Sequence, residues 1–175
     1  AANDPDPSVR ERNVTTFEAM VDFAAHLGAM HLTGLPGVAH EGIAPGADWD
    51  LAVEEARRRV AVCREQGITY AVEPHIGSIL PDPQTTLRFL EAVPGLTLTL
   101  DYGHFIFAGM DNGSVHPLVP HASHFHARGG AKGLLQTPVE DNVIDFPAIL
   151  RHLRNCGYSG YLCMEYVYVN WAGCN

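Results

Sequence analysis

Ile68-Thr69-Tyr70-Ala71-Val72-Glu73 is a short run of apolar and β-branched residues, which is typical of a strand buried on both faces. Asp82-Pro83 then indicates the start of a helix, because aspartate caps a helix N-terminus and proline fits the first turn. A second strand pattern follows at Leu96-Thr97-Leu98-Thr99-Leu100. The order strand, helix, strand predicts a parallel sheet of the α/β class.

The same alternation extends to both sides of this unit. The helix between Thr15 or Thr16 and Gly28 is predicted from apolar residues at helical spacing, and glycine is a common residue just past a helix end. Residues 1–13 have no such periodicity and are predicted to be a loop or a ragged end. The predicted helices cover 15–27, 48–66, 82–93 and 146–156, with a looser crossover at 115–119, and the predicted strands cover 30–33, 68–73, 96–100, 121–127 and 161–165.

Length limits how much of a barrel this chain can form. With 175 residues and 46% hydrophobic content, residues 1–175 are expected to fold as a single domain. A complete (β/α)8 TIM barrel takes about 250 residues. We therefore expect an incomplete barrel of about five parallel strands, an interior fragment that lacks the first two strands and the last strand.

Charge and composition restrict the partners. The formal net charge is −9, which makes a nucleic-acid backbone an unsuitable partner and favours a small sugar or sugar-derived substrate. No apolar run approaches the roughly 18 residues of a membrane span, and no signal-like start is present, so a cytoplasmic protein without membrane contact is expected. The cysteines have no CxxC spacing and are interpreted as reduced, mostly buried thiols; they are Cys63, Cys156, Cys163 and Cys174.

Four of the predicted strands end in a residue type that binds metal ions. These residues are Glu73, Asp101, His126 and Glu165. Because the carboxyl ends of parallel strands meet at one mouth of a barrel, we expect the four side chains to converge there. Burying carboxylates costs several kcal/mol unless a cation compensates, so the pattern indicates one divalent ion held by oxygen-rich ligands.

Other polar residues lie close to these strand ends. His104, three residues after Asp101, is a candidate second ligand or hydrogen-bond donor to a substrate hydroxyl. Arg128 shares the strand face of His126 and could anchor substrate or form a solvent-exposed salt bridge. His75 could line the mouth, and His124 is interpreted as an interior histidine one layer deeper.

Several of these segments together resemble the sugar phosphate isomerase/epimerase family with the xylose isomerase-like TIM barrel. The resemblance spans most of residues 15–171, and its most specific part is an Asp-x-x-His pair followed later by Gly-Tyr-x-Gly and Glu. The segments are Val72-Glu73-Pro74-His75, Leu100-Asp101-Tyr102-Gly103-His104, His124-Phe125-His126-Ala127-Arg128, Asp141-Asn142-Val143-Ile144-Asp145-Phe146 and Gly157-Tyr158-Ser159-Gly160-Tyr161-Leu162-Cys163-Met164-Glu165.

The resemblance implies a (β/α)8 barrel that binds one divalent metal ion, most often Mn²⁺, with Mg²⁺, Co²⁺ and Zn²⁺ as alternatives. The implied metal ligands are Glu73, Asp101, His126 and Glu165, and His104 and Arg128 would contact substrate. On this basis we predict a metal-dependent sugar isomerase or epimerase. Glu73 and Glu165 would act as acid and base on either side of a sugar whose enediolate the metal stabilises.

Alternative functions stay open at this point. Ketose 3-epimerases of the family carry a glutamate six residues after the first ligand, where this chain has Ile79, so isomerase, dehydratase and hydrolase chemistry are all candidates. An apurinic endonuclease would need a multinuclear zinc site and a basic surface, and a non-catalytic sugar-binding barrel would need no metal. Open barrel edges could also favour a homo-oligomer.

Overall fold

A parallel sheet forms the centre of the computed structural model, which describes residues 1–168. In chain order the strands are β1 (His31–Gly34), β2 (Thr69–Val72), β3 (Thr97–Asp101), β4 (Ala122–Ala127), β5 (Gly129–Ala131), β6 (Leu134–Thr137) and β7 (Leu162–Met164). Strands β1, β2, β3, β4 and β7 lie side by side in that order and are parallel, whereas β5 and β6 form a separate antiparallel hairpin.

Helices connect the parallel strands. They are α1 (Pro7–His26), α2 (Ala47–Glu65), α3 (Pro83–Ala92), α4 (Tyr102–Phe107), α5 (Asn112–Val115) and α6 (Phe146–Asn155), with 3-10 turns at His116–His121 and Val139–Asp141. The predicted cap of α3 is confirmed, because the Asp82 carboxylate accepts a hydrogen bond of 2.7 Å from the Thr85 N–H. Among the described residues, none of these helices is both long and apolar enough to cross a bilayer.

The two faces of the sheet differ in chemistry. Alternate residues such as Leu98, Leu100 and Phe125 are buried in one apolar core with the helices. Burying each of these side chains contributes about 1.5–3 kcal/mol to folding. The opposite, inner face carries hydroxyl pairs, with 2.7 Å between the side-chain oxygens of Thr33 and Thr99 and 2.7 Å between those of Thr97 and Ser123. The polar side chains of the sheet therefore lie on its inner face.

The predicted fold class is confirmed. Five parallel strands with helices on the outer face form a curled sheet, as in an incomplete (β/α)8 barrel. The strands end within two residues of their predicted ends, because short apolar runs bounded by turn residues mark them clearly in the sequence.

The prediction that residues 1–13 form a loop or a ragged end is wrong from Pro7 onward. Helix α1 begins at Pro7 because the Asp6 carboxylate accepts a hydrogen bond from the Ser8 N–H at 2.8 Å and proline fits the first turn. Asn3 is also fully buried, since its side-chain amide donates to the Val38 carbonyl at 2.7 Å and accepts from the Val38 N–H at 3.1 Å. The N-terminal segment is thus tied to the loop after β1.

The hairpin β5–β6 was absent from the predicted elements. It follows β4 directly, and its first strand packs so closely that a side chain on Gly129 would come within 2.7 Å of the Thr137 carbonyl oxygen. The glycine-rich sequence 129–133 suggests a loop, but here glycine permits close approach of two strands.

Candidate active site

The four predicted metal ligands converge at the carboxyl ends of the parallel strands. Asp101 ends β3 and His126 lies in β4, while Glu73 and Glu165 directly follow β2 and β7. One nitrogen or oxygen of each side chain lies within 4.8 Å of the corresponding atoms of the others. The expected convergence of four residues, distant in sequence, is therefore present in the fold.

Two cationic side chains lie among the three carboxylates. His126 Nδ1 lies 2.8 Å from Glu73 Oε1 and 3.0 Å from Glu165 Oε2. Arg128 Nη2 donates a hydrogen bond of 2.5 Å to Asp101 Oδ2 and lies 3.4 Å from Glu165 Oε2. Asp101 and Arg128 are 1% and 4% exposed, so their ion pair is almost completely removed from water.

The electrostatic environment shifts the pKa values of several of these groups. Burial alone would lower the pKa of His126, but contacts with Glu165 and Glu73 outweigh burial and raise it to about 10. Burial would raise the pKa of Glu165, yet His126 and Arg128 lower it on balance. Burial raises the pKa of Asp101 despite the neighbouring Arg128. Glu165 is thus held as a carboxylate beside a protonated imidazole.

The donor set suits a hard divalent cation. Three carboxylates and one imidazole match the ligands that Mn²⁺ and Mg²⁺ take in proteins. Glu165 Oε2 is buried, and no donor among residues 1–168 makes a hydrogen bond of good geometry to it. The same oxygen lies 3.0 Å from His126 Nδ1 and 3.4 Å from Arg128 Nη2, so positive charge already surrounds it where a cation would bind.

The predicted substrate-binding residues lie next to this cluster. His104 Nδ1 accepts a hydrogen bond of 3.3 Å from the Ile76 N–H, and its Nε2 lies 3.3 Å from Arg128 Nη2 and 3.7 Å from Asp101 Oδ2. Burial lowers the pKa of His104 to about 4, which keeps the ring neutral. The His75 ring centroid is 6.1 Å from that of His104. The alternative of Arg128 as a solvent-exposed salt bridge is wrong, because the side chain is buried against Asp101.

Sequence reasoning missed part of the inner face. Cys163 was interpreted as a buried apolar residue, and this is wrong, since Cys163 and Cys156 are exposed and only Cys63 of the described cysteines is buried. Cys174 lies outside the described residues. The two-residue spacing between Cys163 and Glu165 could have predicted that Cys163 faces the site, because residues two apart in a strand share a face. The ring centroid of His31 lies 5.1 Å from that of His124.

The raised pKa of His126 predicts how stability depends on pH without divalent ions. The pKa of His126 is about 10 in the folded protein and ordinarily 6.5, so protonated His126 stabilises the fold fully below pH 6.5, and this contribution is lost as the pH rises through 10. We expect the free energy of unfolding in EDTA to fall by about 2–4 kcal/mol over that range. Urea titrations at several pH values measure this change.

The matched controls are two histidine variants. His126→Gln should remove most of this pH dependence, whereas His121→Gln, at an exposed position, should keep it. An identical pH dependence in His126→Gln and the unmodified protein would contradict the assignment of the pKa shift to His126.

Comparisons with known proteins identify the family of this fold. A family model described as a xylose isomerase-like TIM barrel matches residues 1–173. Inosose dehydratase from Geobacillus thermodenitrificans (strain NG80-2) is 24% identical over 141 residues, which are 67% of this chain and 47% of that protein. The chain thus spans about half the length of this curated relative.

Solved structures show the same fold at low identity. A D-tagatose 3-epimerase-like protein is 20% identical with a TM-score of 0.79, and the match covers 93% of this chain and 65% of that one. A xylose isomerase-like TIM barrel protein from Mycobacterium smegmatis, solved in complex with magnesium, is 18% identical with a TM-score of 0.74, covering 97% of this chain and 65% of that one. The match over residues 1–173 confirms the family predicted from the motifs, and the chain belongs to the xylose isomerase-like TIM barrel family.

Proposed function

We propose that this protein is a divalent-metal-dependent sugar isomerase or epimerase that works by proton transfer. The observation that carries the proposal is the convergence of Glu73, Asp101, His126 and Glu165, whose ligand atoms lie within 4.8 Å of one another. Relatives with this fold include proteins named as sugar epimerases, which supports sugar chemistry at this position of the barrel. A small sugar or sugar-derived molecule is the proposed substrate.

The proposed metal ligands are the same four residues, with Mn²⁺ or Mg²⁺ as the best-suited ions and Co²⁺ or Zn²⁺ as alternatives. The structure of a Mycobacterium smegmatis protein with this fold was solved in complex with magnesium, which supports the choice of a hard ion. A bound divalent ion would place positive charge beside the carbonyl and hydroxyl oxygens of the sugar and so lower the cost of removing the adjacent proton.

In this proposal two glutamates move that proton. Glu165 follows β7 and Glu73 follows β2, and β3 and β4 lie between these strands, so the two carboxyl groups reach the site from different sides. The lowered pKa of Glu165 keeps it ionised and able to accept a proton from the carbon next to the carbonyl. Glu73 can return a proton to the same carbon from the other side, which inverts its configuration, or to the neighbouring carbon, which isomerises the sugar.

Other side chains would bind and orient the substrate. The neutral His104 ring can form a hydrogen bond with a sugar hydroxyl through Nε2, and the backbone N–H of Ile76 fixes the ring through Nδ1. Arg128 holds Asp101 in place through its buried ion pair. His75, beside His104, is the remaining candidate for a substrate contact.

A dehydratase is the second candidate function. Ile79 stands where ketose 3-epimerases carry a second glutamate, and its side chain packs against the hydrophobic core. The curated relative from Geobacillus thermodenitrificans is named an inosose dehydratase. The same two glutamates can serve this reaction, because one can remove the proton next to a carbonyl and the other can protonate the hydroxyl that leaves from the next carbon as water.

Incubation with a panel of ketoses and an inosose in D₂O, followed by proton NMR, tests the proposal. An isomerase or epimerase should place deuterium on a carbon next to the carbonyl of the recovered sugar, and EDTA should abolish the exchange. A product that has lost water would instead identify the dehydratase. If no substrate exchanges a proton or loses water with Mn²⁺ or Mg²⁺ supplied, the proposed enzyme activity is wrong.

A further inference from the structure

A second group of possible ligands lies on the inner face below the carboxylates. We call His124, His126 and Cys163 the inner cluster. One nitrogen of each ring and the Cys163 sulfur lie within 4.8 Å of one another. The group differs from the active-site cluster in its donors, because it offers nitrogen and sulfur where the other offers mainly carboxylate oxygen.

Strand geometry explains why the three residues meet. His124 and His126 are two positions apart in β4 and so point to the same face. Cys163 is the direct partner of His126 in the parallel pair β4–β7. The rings of His124 and His126 are nearly perpendicular, with centroids 5.3 Å apart. His31, which packs on His124, is already engaged with Ser123, since its Nε2 lies 2.9 Å from the serine hydroxyl.

The donor set of the inner cluster suits a softer ion than the carboxylates do. Thiolate and imidazole are the ligands that Zn²⁺ favours, at bond lengths of about 2.3 Å to sulfur and 2.0–2.1 Å to nitrogen. Tetrahedral geometry at those lengths places neighbouring donor atoms about 3.3–3.6 Å apart. Separations of up to 4.8 Å would have to close by up to about 1.3 Å, through rotamer changes of the exposed Cys163 side chain and of the two partly exposed histidines.

His126 is the residue that the two groups share. Its Nδ1 faces Glu73 and Glu165, which leaves Nε2 for a second ion. We propose that the inner cluster binds a zinc-like ion through Cys163 Sγ, His124 and His126 Nε2, with the thiol proton and the Nε2 proton of His126 released to solvent. Three protein ligands leave a fourth position for water or a substrate oxygen, as in catalytic rather than structural zinc sites.

Cobalt is the probe that tests this site, because a Co²⁺ ion bound by a thiolate has an intense near-ultraviolet charge-transfer band that oxygen ligands do not produce. Titration of the metal-free protein with Co²⁺ should produce this band. Cys163→Ser should lose it, and Cys156→Ser, which changes another exposed cysteine at the end of α6, should keep it.

Two further variants separate the inner cluster from the carboxylates. His124→Phe should weaken the band at least tenfold at equal Co²⁺, whereas Asp101→Asn, which alters only the carboxylate group, should leave it in place. Absence of the band in the unmodified protein, or an equal band in Cys163→Ser, would overturn the proposed site. None of these readouts depends on turnover, so the failure of this site and the failure of the proposed activity are separate results.

Discussion

Glu165→Gln should lower the turnover number for any exchanging sugar by about 10²–10⁴-fold, the range that general acid–base groups contribute. The substitution keeps the size of the side chain but removes the carboxylate that would accept the proton. Glutamine can still offer one oxygen to a cation, so sugar binding should be partly retained. Steady-state kinetics and the rate of deuterium incorporation into the recovered sugar measure the two effects separately.

Glu140→Gln is the matched control for this experiment. Glu140 is exposed in the 3-10 turn after β6 and is in none of the ion pairs of the described residues, so its variant should keep the full rate. A Glu165→Gln protein with an unchanged turnover number would remove Glu165 from the proton transfer. In that case the carboxylate could still bind a metal, and the base would have to be sought elsewhere.

Arg128→Met should destabilise the folded protein by about 3 kcal/mol in EDTA, because it leaves Asp101 buried without its partner. The loss in the free energy of unfolding should not greatly exceed this value, because the raised pKa of Asp101 lets its carboxyl group take up a proton instead of remaining charged. Urea denaturation at pH 7 gives the difference. The difference should shrink toward acidic pH, where Asp101 is protonated in both proteins.

Arg151→Met serves as the control, because Arg151 is exposed on α6 and its removal should cost less than about 0.5 kcal/mol. A change below about 1 kcal/mol in Arg128→Met would mean that the buried pair contributes little beyond its own desolvation cost. A divalent ion should restore part of the lost stability if the carboxylates bind it, since a cation then replaces the guanidinium charge.

The parallel sheet could be predicted from the sequence because each strand is marked by its own residues and their close neighbours. The apolar run at 68–73 and the Asp82 cap of α3 are recognisable without knowledge of distant contacts. The convergence of Glu73 and Glu165 was predictable for a related reason, since parallel strands place their carboxyl ends at one edge whatever their spacing in the chain.

Other features depend on contacts that the sequence does not reveal. The start of α1 was misplaced because the apolar spacing begins only at Phe17, whereas the helix begins where Asp6 caps it. The β5–β6 hairpin depends on the approach of Gly129 to Thr137, eight residues away in the chain. The burial of Arg128 against Asp101 likewise follows from the pairing of β3 with β4, not from its glycine-rich surroundings.

The paired hydroxyls on the inner face of the sheet affect how this part of the barrel tolerates solvent. Thr33 and Thr99 satisfy each other, as do Thr97 and Ser123, so a water molecule reaching these positions meets groups that can exchange one hydrogen bond for another. A lining of valine or leucine could not form hydrogen bonds with such a water molecule, and an exposed apolar surface of this kind would favour aggregation. Water can therefore reach the inner face of the sheet without disturbing the strands that hold Glu73, Asp101, His126 and Glu165.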